Sequence, residues 1–339
     1  MEEARRMTPG TYGDDRLAAK LNEVLDPARH PVAAVATVTS SGMTVASRGA
    51  PMEGDFEIGS ITKGITGLLY VDALARGEIS RDTLLGELLP IGDVPAARIS
   101  LAALSTHRSG LPRLPAAMHP LRRTVALWRH GTNPYGEDLE QLLAQARGTK
   151  VGKPAPRYSN FGFELLGHAI ARAAGTTYAG LVRDRIAGPL KLGGLYVPAG
   201  PERLRPTALT GRSKRGRPRE AWTGEALGPA GGARAAIRDM ALLTDALLKG
   251  TAPGVAALDP VAPFQGRVHI GAAWLVLTVG SGFTLHNGGT GGFRSWLGLH
   301  RASGTGVVVL SATAASVDRP GFNLLAELSG GPKKARPTR

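Results

Sequence analysis

The chain contains no cysteine. Disulfides, thiolate metal sites and a cysteine nucleophile are excluded together, while the redox compartment stays open. Aromatic residues are only 5% of the sequence, and none is interleaved with the cationic runs, where single-stranded nucleic acid would need stacking platforms. No stretch reaches the ~18 apolar residues of a membrane span. The opening Met1–Gly10 has no apolar core of a secretory signal, so the expected location is the cytoplasm. No internal repeat is visible. Acidic residues are in deficit, 27 Asp+Glu against 41 Lys+Arg, leaving a net charge of +14. Two cationic clusters stand out, Arg212–Arg219 and Lys333–Arg339. Their expected roles are a solvated loop and a frayed tail, not a nucleic-acid or anionic-surface contact.

The remaining composition is that of a globular chain: 42% hydrophobic, 20% charged, with 46 Gly and 24 Pro. Leu17, Leu21, Val24 and Leu25 predict an amphipathic helix over Asp14–Leu25. Strands are expected at Val32–Thr39 and Met43–Ser47 around a Ser40-Ser41-Gly42 turn. From Ser60 to Arg76 apolar residues recur at three- and four-residue steps. Further helices are expected at Ser100–Thr106, Leu139–Ala146, Asn160–Ala174, Tyr178–Ile186 and Ala236–Lys249. Apolar, β-branched runs at Gly271–Val279, Phe283–His286, Trp296–His300 and Thr305–Ser311 predict an antiparallel meander with turns at 280–282 and 302–304, followed by a helix at Phe322–Leu328. Early and late strands share a sheet only if the chain leaves it and returns. The expectation is an α+β fold: one catalytic domain over 1–330, with sheet from about 14–60 and 265–328, a helical region over about 61–250, and a disordered basic tail at 331–339.

Three short motifs carry chemistry. In Ser60-Ile61-Thr62-Lys63 the serine and lysine share one helical face. A serine hydroxyl needs a base, and a partly desolvated lysine gives up its proton more readily. The helix start adds positive potential where charge builds on oxygen. Alone, the motif is weak, since a chance Ser-x-x-Lys is expected on the order of once per chain. In Tyr158-Ser159-Asn160 the phenol can shuttle a proton beside a cation such as Lys63, and Asn160 can hold Lys63 and a substrate carbonyl. The plainer alternative is a helix cap with Tyr158 packed on the core. In His286-Asn287-Gly288-Gly289-Thr290-Gly291-Gly292-Phe293 the glycines invite close approach to the backbone, so the N–H groups of Ser60 and Gly289 can form an oxyanion hole. A hairpin turn or bulge is the alternative.

Taken in this order, the motifs resemble those of the serine β-lactamase and penicillin-binding-protein superfamily, nearest the class C β-lactamase and esterase branch. The runs Leu104–Pro112, Gly188–Gly193 and Pro229–Arg234 resemble connectors of that family, and the likeness extends from Asp14 to Leu328. The resemblance implies a β-lactamase/transpeptidase-like fold with Ser60 as acylated nucleophile, Lys63 as base or base partner, Tyr158 as proton shuttle and Asn160 as orienting residue. Asn287, Gly288 and Gly289 are implied to line the substrate. His286 stands where β-lactamases usually carry lysine. A neutral imidazole recognises a carboxylate weakly, which favours an esterase, amidase or transacylase over a β-lactamase or a D-amino-acid peptidase. A non-catalytic binding protein on the same scaffold is the third reading. The partner is then a small ester, amide or peptide-like molecule. The other seven histidines show no metal-ligand spacing and are expected at surface or packing positions, with no cofactor or metal required. Oligomeric state is not legible in the sequence.

Overall fold

The computed structural model describes residues 10–115, 119–278 and 282–330. The tail 331–339 and most of the expected 280–282 turn lie outside the described residues. Among the described residues nine strands form one antiparallel sheet: β1 (Thr11–Gly13), β2 (Ala33–Thr39), β3 (Gly42–Arg48), β6 (Ala262–Gln265), β7 (Val268–Ile270), β8 (Leu275–Leu277), β9 (Phe283–Gly289), β10 (Arg294–His300) and β11 (Thr305–Ser311), in the order β1-β3-β2-β11-β10-β9-β8-β7-β6. A separate ribbon pairs β4 (Phe56–Glu57) with β5 (Arg234–Ala235). The early and late strands meet as expected, through β2 and β11.

Alternation along the central strands decides which helices cover which face. Ala33, Val35, Val307, Val309 and Trp296 point to one side, where Leu17 and Leu21 of helix α1 (Asp15–Val24) and Leu324 and Leu325 of the last helix, Asp318–Leu328, close a small core. Ala34, Ala36, Val308, Leu310 and Leu297 point to the other. That side carries helix α2 (Ile61–Ala75) and the helix Ile237–Leu248. Twelve of the fifteen α2 residues are buried. A helix apolar on every face belongs inside, and this is why Lys63 on α2 lies in the interior.

Between α2 and β6 the regular structure is mainly helical. In chain order it forms α3 (Leu85–Leu88), α4 (Leu101–Ser105), α5 (Pro120–His130), α6 (Leu139–Gly148), α7 (Asn160–Ala173), α8 (Tyr178–Val182), α9 (Gly228–Gly231) and α10 (Ile237–Leu248), and the C-terminal helix is α11 (Asp318–Leu328). Ser100, Asp138, Ser159 and Thr177 accept N-cap hydrogen bonds where α4, α6, α7 and α8 begin.

One expected strand needs correction, and two further elements, β6 and α5, were not among those expected. The strand expected over 271–279 shrinks to Leu275–Leu277, because Gly271–Trp274 fold into a turn closed by Gly271 N–H donating to Trp274 O at 2.9 Å. β6 contains Pro263, which edge strands tolerate. α5 has Leu121, Val125 and Trp128 exposed, so no core-facing stripe marked it. Among the described residues no helix is long and apolar enough to cross a membrane.

Candidate active site

Ser60 is the N-cap of α2 and Lys63 sits one turn on. Lys63 Nζ donates to Ser60 Oγ at 3.1 Å. Its second acceptor is the Ala230 carbonyl, not Asn160 as the sequence suggested. Lys63 is fully buried and makes no ion pair among the described residues. Its ammonium lies 4.8 Å from the centre of the Tyr158 ring. Tyr158 is half-buried and donates to Ser60 Oγ at 2.6 Å. Amine and phenol thus converge on the oxygen of one hydroxyl.

Tyr158 is held from both sides by a residue the sequence reading took for packing. His107 accepts from the Arg157 N–H at its carbonyl (2.9 Å) and from the Ser159 N–H at Nδ1 (3.2 Å). Its ring lies 4.6 Å from those of Tyr158 and Phe163. Accepting at Nδ1 leaves the proton of the neutral ring on Nε2, which is buried without a partner. The one available signal was its place in the Leu104–Pro112 run. Ser159 caps α7, accepting from Gly162 N–H at 2.9 Å. The capping alternative therefore holds for Ser159 even though Tyr158 faces Ser60.

The third motif closes the slot. A Cβ on Gly288 would lie 2.1 Å from Ile58 O and 3.0 Å from Ser60 N, and one on Gly59 would lie 2.7 Å from Gly289 N. Only glycine admits this approach of β9 to the start of α2. It brings the amides of Ser60 and Gly289 to a common edge. Ser295 on β10 fastens the junction by donating to Ile58 O at 2.7 Å.

In that motif Asn287 does not face the slot as expected, and His286 lies buried on the other face of β9. The Asn287 side chain is exposed and donates to Asp318 on α11 at 2.6 Å. Strand alternation puts it on the opposite face from His286. His286 is 3% exposed, against Trp274, with Nδ1 donating to Asn287 O at 2.9 Å. Burial, assisted by the charge of Lys63, lowers its pKa to about 4, so it is neutral near pH 7. His107 is likewise pushed well below the usual histidine value by burial.

A cavity of about 340 Å³ opens over Ser60 and Gly289, walled by Arg113, Leu127, Tyr135, Asn160 and Trp222. Asn160 Nδ2 donates to Tyr135 OH at 3.0 Å, and its Oδ1 is buried without a partner. Behind it Glu164 is 2% exposed, with Oε1 unpartnered. Burial raises its pKa to about 8, with Glu137 adding and Lys63 opposing. A carboxyl with a raised folded pKa is neutral in both states at low pH. Stability is lost as pH rises from the ordinary 4.5 towards 8, because only the unfolded chain ionises. Glu164→Gln removes that loss. Its advantage over wild type in chemical denaturation is expected to grow by about 2–4 kcal/mol between pH 5 and pH 8. A constant difference would refute the buried neutral carboxyl. The two histidines act oppositely, with stability lost as pH falls below 6.5. Among the described residues no cluster of His, Asp or Glu could hold a metal ion.

A model of the Beta-lactamase family matches residues 16–329. The chain belongs to the Beta-lactamase family. A class C beta-lactamase structure superposes with a TM-score of 0.78 at 16% identity, covering 95% of this chain and 98% of that one. The class C beta-lactamase of Rhodobacter sphaeroides gives 0.76 at 20% identity, covering 93% and 99%. These likenesses establish the β-lactamase/transpeptidase-like fold. Among curated relatives, the D-alanyl-D-alanine-carboxypeptidase/endopeptidase AmpH of Escherichia coli is 33% identical over 139 residues, 39% of this chain and 34% of AmpH. Esterase EstB of Burkholderia gladioli is 29% identical over 212 residues, 56% of this chain and 54% of EstB. The chain thus matches about a third and about half of the length of these two relatives.

Proposed function

We propose that this Beta-lactamase-family serine hydrolase acts on small esters or amides through an acyl-Ser60 intermediate, with water or another acceptor removing the acyl group. The observation that carries the reading is the convergence of Lys63 Nζ at 3.1 Å and Tyr158 OH at 2.6 Å on Ser60 Oγ, beneath an open cavity. With one member of the Lys63–Tyr158 pair deprotonated, Ser60 Oγ attacks the substrate carbonyl carbon and passes its proton to that amine or phenolate. The pair returns a proton to the departing oxygen or nitrogen as the carbonyl–leaving-group bond breaks. Negative charge on the carbonyl oxygen is met by the Ser60 and Gly289 amides, an arrangement typically worth a few kcal/mol. Asn160 is read as orienting substrate from the cavity wall, with Gly288 shaping the slot.

The esterase or transacylase reading is supported by the buried, neutral His286 where a cation would receive a carboxylate, and by the longer match to EstB. The likeness to AmpH supports the alternative of a D-amino-acid peptidase or weak β-lactamase. Turnover of nitrocefin against p-nitrophenyl esters separates the two. Intact-protein mass spectrometry after incubation with esters, amides and β-lactams reads both the acylated residue and the acyl group retained. Tyr158→Phe is expected to lower kcat by roughly 10²–10⁴, the scale of a general acid–base group, and unchanged kcat would remove Tyr158 from the proton path. If fluorophosphonate fails to label Ser60 in the folded protein, the scaffold is a non-catalytic binder.

A further inference from the structure

The β9–β10 turn runs on from the carbonyl slot into a second concavity of about 470 Å³. Lys214, Arg215, Arg217, Arg219 and Arg294 line it, and none of its lining residues is acidic. None of the five makes an ion pair among the described residues. Asp318 lies within electrostatic reach of Arg294, but its two carboxylate oxygens already accept from Asn287 and Ser316.

The cationic run is solvent-exposed, as expected of it, and folded. It is a tight hairpin in which Ser213 N–H donates to Arg217 O at 2.7 Å, Gly216 N–H donates to Ser213 O at 2.9 Å, and Ser213 Oγ accepts from the Arg217 amide at 3.1 Å. Arg212 N–H ties it to Gly292 O at 3.1 Å, within the third motif. Two guanidinium groups are anchored on carbonyls: Arg294 donates to Thr290 O and Phe293 O, both at 2.8 Å, and Arg219 donates to Leu127 O at 2.6 Å. Anchoring lowers the entropy lost on binding an anion. The cavity also adjoins the reaction centre. A Cβ on Gly289 would lie 2.7 Å from Arg294 Nη1, and Leu127 lines both cavities.

Resting on the acyl-Ser60 reading, we propose that this second cavity is an anion subsite for a phosphate group carried by the substrate. Five mutually repelling cations exceed what one carboxylate needs. A phosphate dianion offers several acceptors to forked guanidinium donors. One exposed indole, Trp128, lines the cavity, whereas a single-stranded nucleic acid would call for an extended groove with successive stacking platforms.

The test uses matched pairs. One pair is S-acetyl-pantetheine and its 4′-phosphate, with the anion on the leaving group. The other is the p-nitrophenyl esters of pentanoic and 4-phosphonobutanoic acids, with the anion on the acyl group. In one pair the phosphorylated member is expected to have a kcat/KM about tenfold higher or more, expressed mainly in KM, and that pair identifies which side of the bond carries the phosphate. The ratio is expected to fall towards one in the triple variant K214Q/R215Q/R217Q, whose replaced side chains are exposed. Inorganic pyrophosphate is expected to compete with p-nitrophenyl acetate, less so as salt is added. Equal kcat/KM within both pairs and no pyrophosphate inhibition, with p-nitrophenyl acetate still hydrolysed, overturns the subsite and leaves the Ser60 reading standing. Calorimetry with pyrophosphate on wild type and the triple variant reads the subsite independently of turnover. Binding lost in the variant supports it even if no ester is cleaved, and no binding to wild type overturns it. Tighter binding of a single-stranded oligonucleotide than of pyrophosphate, without substrate discrimination, also overturns it.

Discussion

Ser60→Ala is expected to abolish acyl-enzyme formation and lower kcat by about 10⁴–10⁶, with the fold intact. The scale follows from nucleophiles that act as one unit with their base. Lys63→Met is expected to cost nearly as much, and the double variant little more, because each removal already disables the same proton transfer. The fold survives Ser60→Ala because the Ser60 side chain makes no capping bond to α2, and its φ of −65° suits alanine. The site itself is held by its backbone, through Gly59, Gly288 and the Ser295–Ile58 hydrogen bond. The checks are steady-state kinetics on an ester panel, circular dichroism, and intact mass after acylation. Retained turnover in Ser60→Ala, or an acyl group mapped to another residue, would end the proposal.

Arg234→Met is expected to destabilise the protein by about 3–5 kcal/mol. Arg234 is 1% exposed and joins β4 to β5. Its guanidinium bonds Asp55 through Nε and Glu57 through Nη1 at 3.1 Å, and donates to Asp55 O at 2.9 Å and Leu209 O at 3.0 Å. Burial already drives the Glu57 pKa upward against the attraction of Arg234. Methionine fills similar volume but leaves two buried carboxylates facing each other without a cation. The β4 strand leads through Ile58 and Gly59 to Ser60, so activity is expected to fall along with stability. Adding Glu57→Gln is expected to recover part of the loss by removing one of the two uncompensated charges. Urea denaturation of the three proteins measures this, and a loss below about 1 kcal/mol for Arg234→Met would contradict the assigned role.

Much of the fold was legible because its signals are local. Leu17, Leu21 and Val24 mark α1 by their spacing, Thr305–Ser311 is a strand end to end, and Ser100 and Ser159 cap helices where their side chains predict. Helix α5 was missed because its exposed Leu121, Val125 and Trp128 form no core-facing stripe. Within the site, the Ser60–Lys63 pair follows from helical spacing alone. Alternation carries one more consequence: once His286 is buried, Asn287 must face outward.

By itself the sequence determined many of the elements, the adjacency of Ser60 and Lys63, and the glycines that let β9 approach α2. These depend on period, capping and steric size within a few residues. Only the tertiary structure decided that Tyr158 reaches Ser60, that His107 grips the chain on both sides of Tyr158, that His286 is dehydrated and neutral, and that Arg294 joins the 214–219 hairpin around one cavity. Those facts depend on which surfaces meet after the chain leaves the sheet at β3 and returns at β6. Neither burial nor distance between remote segments is written in local spacing.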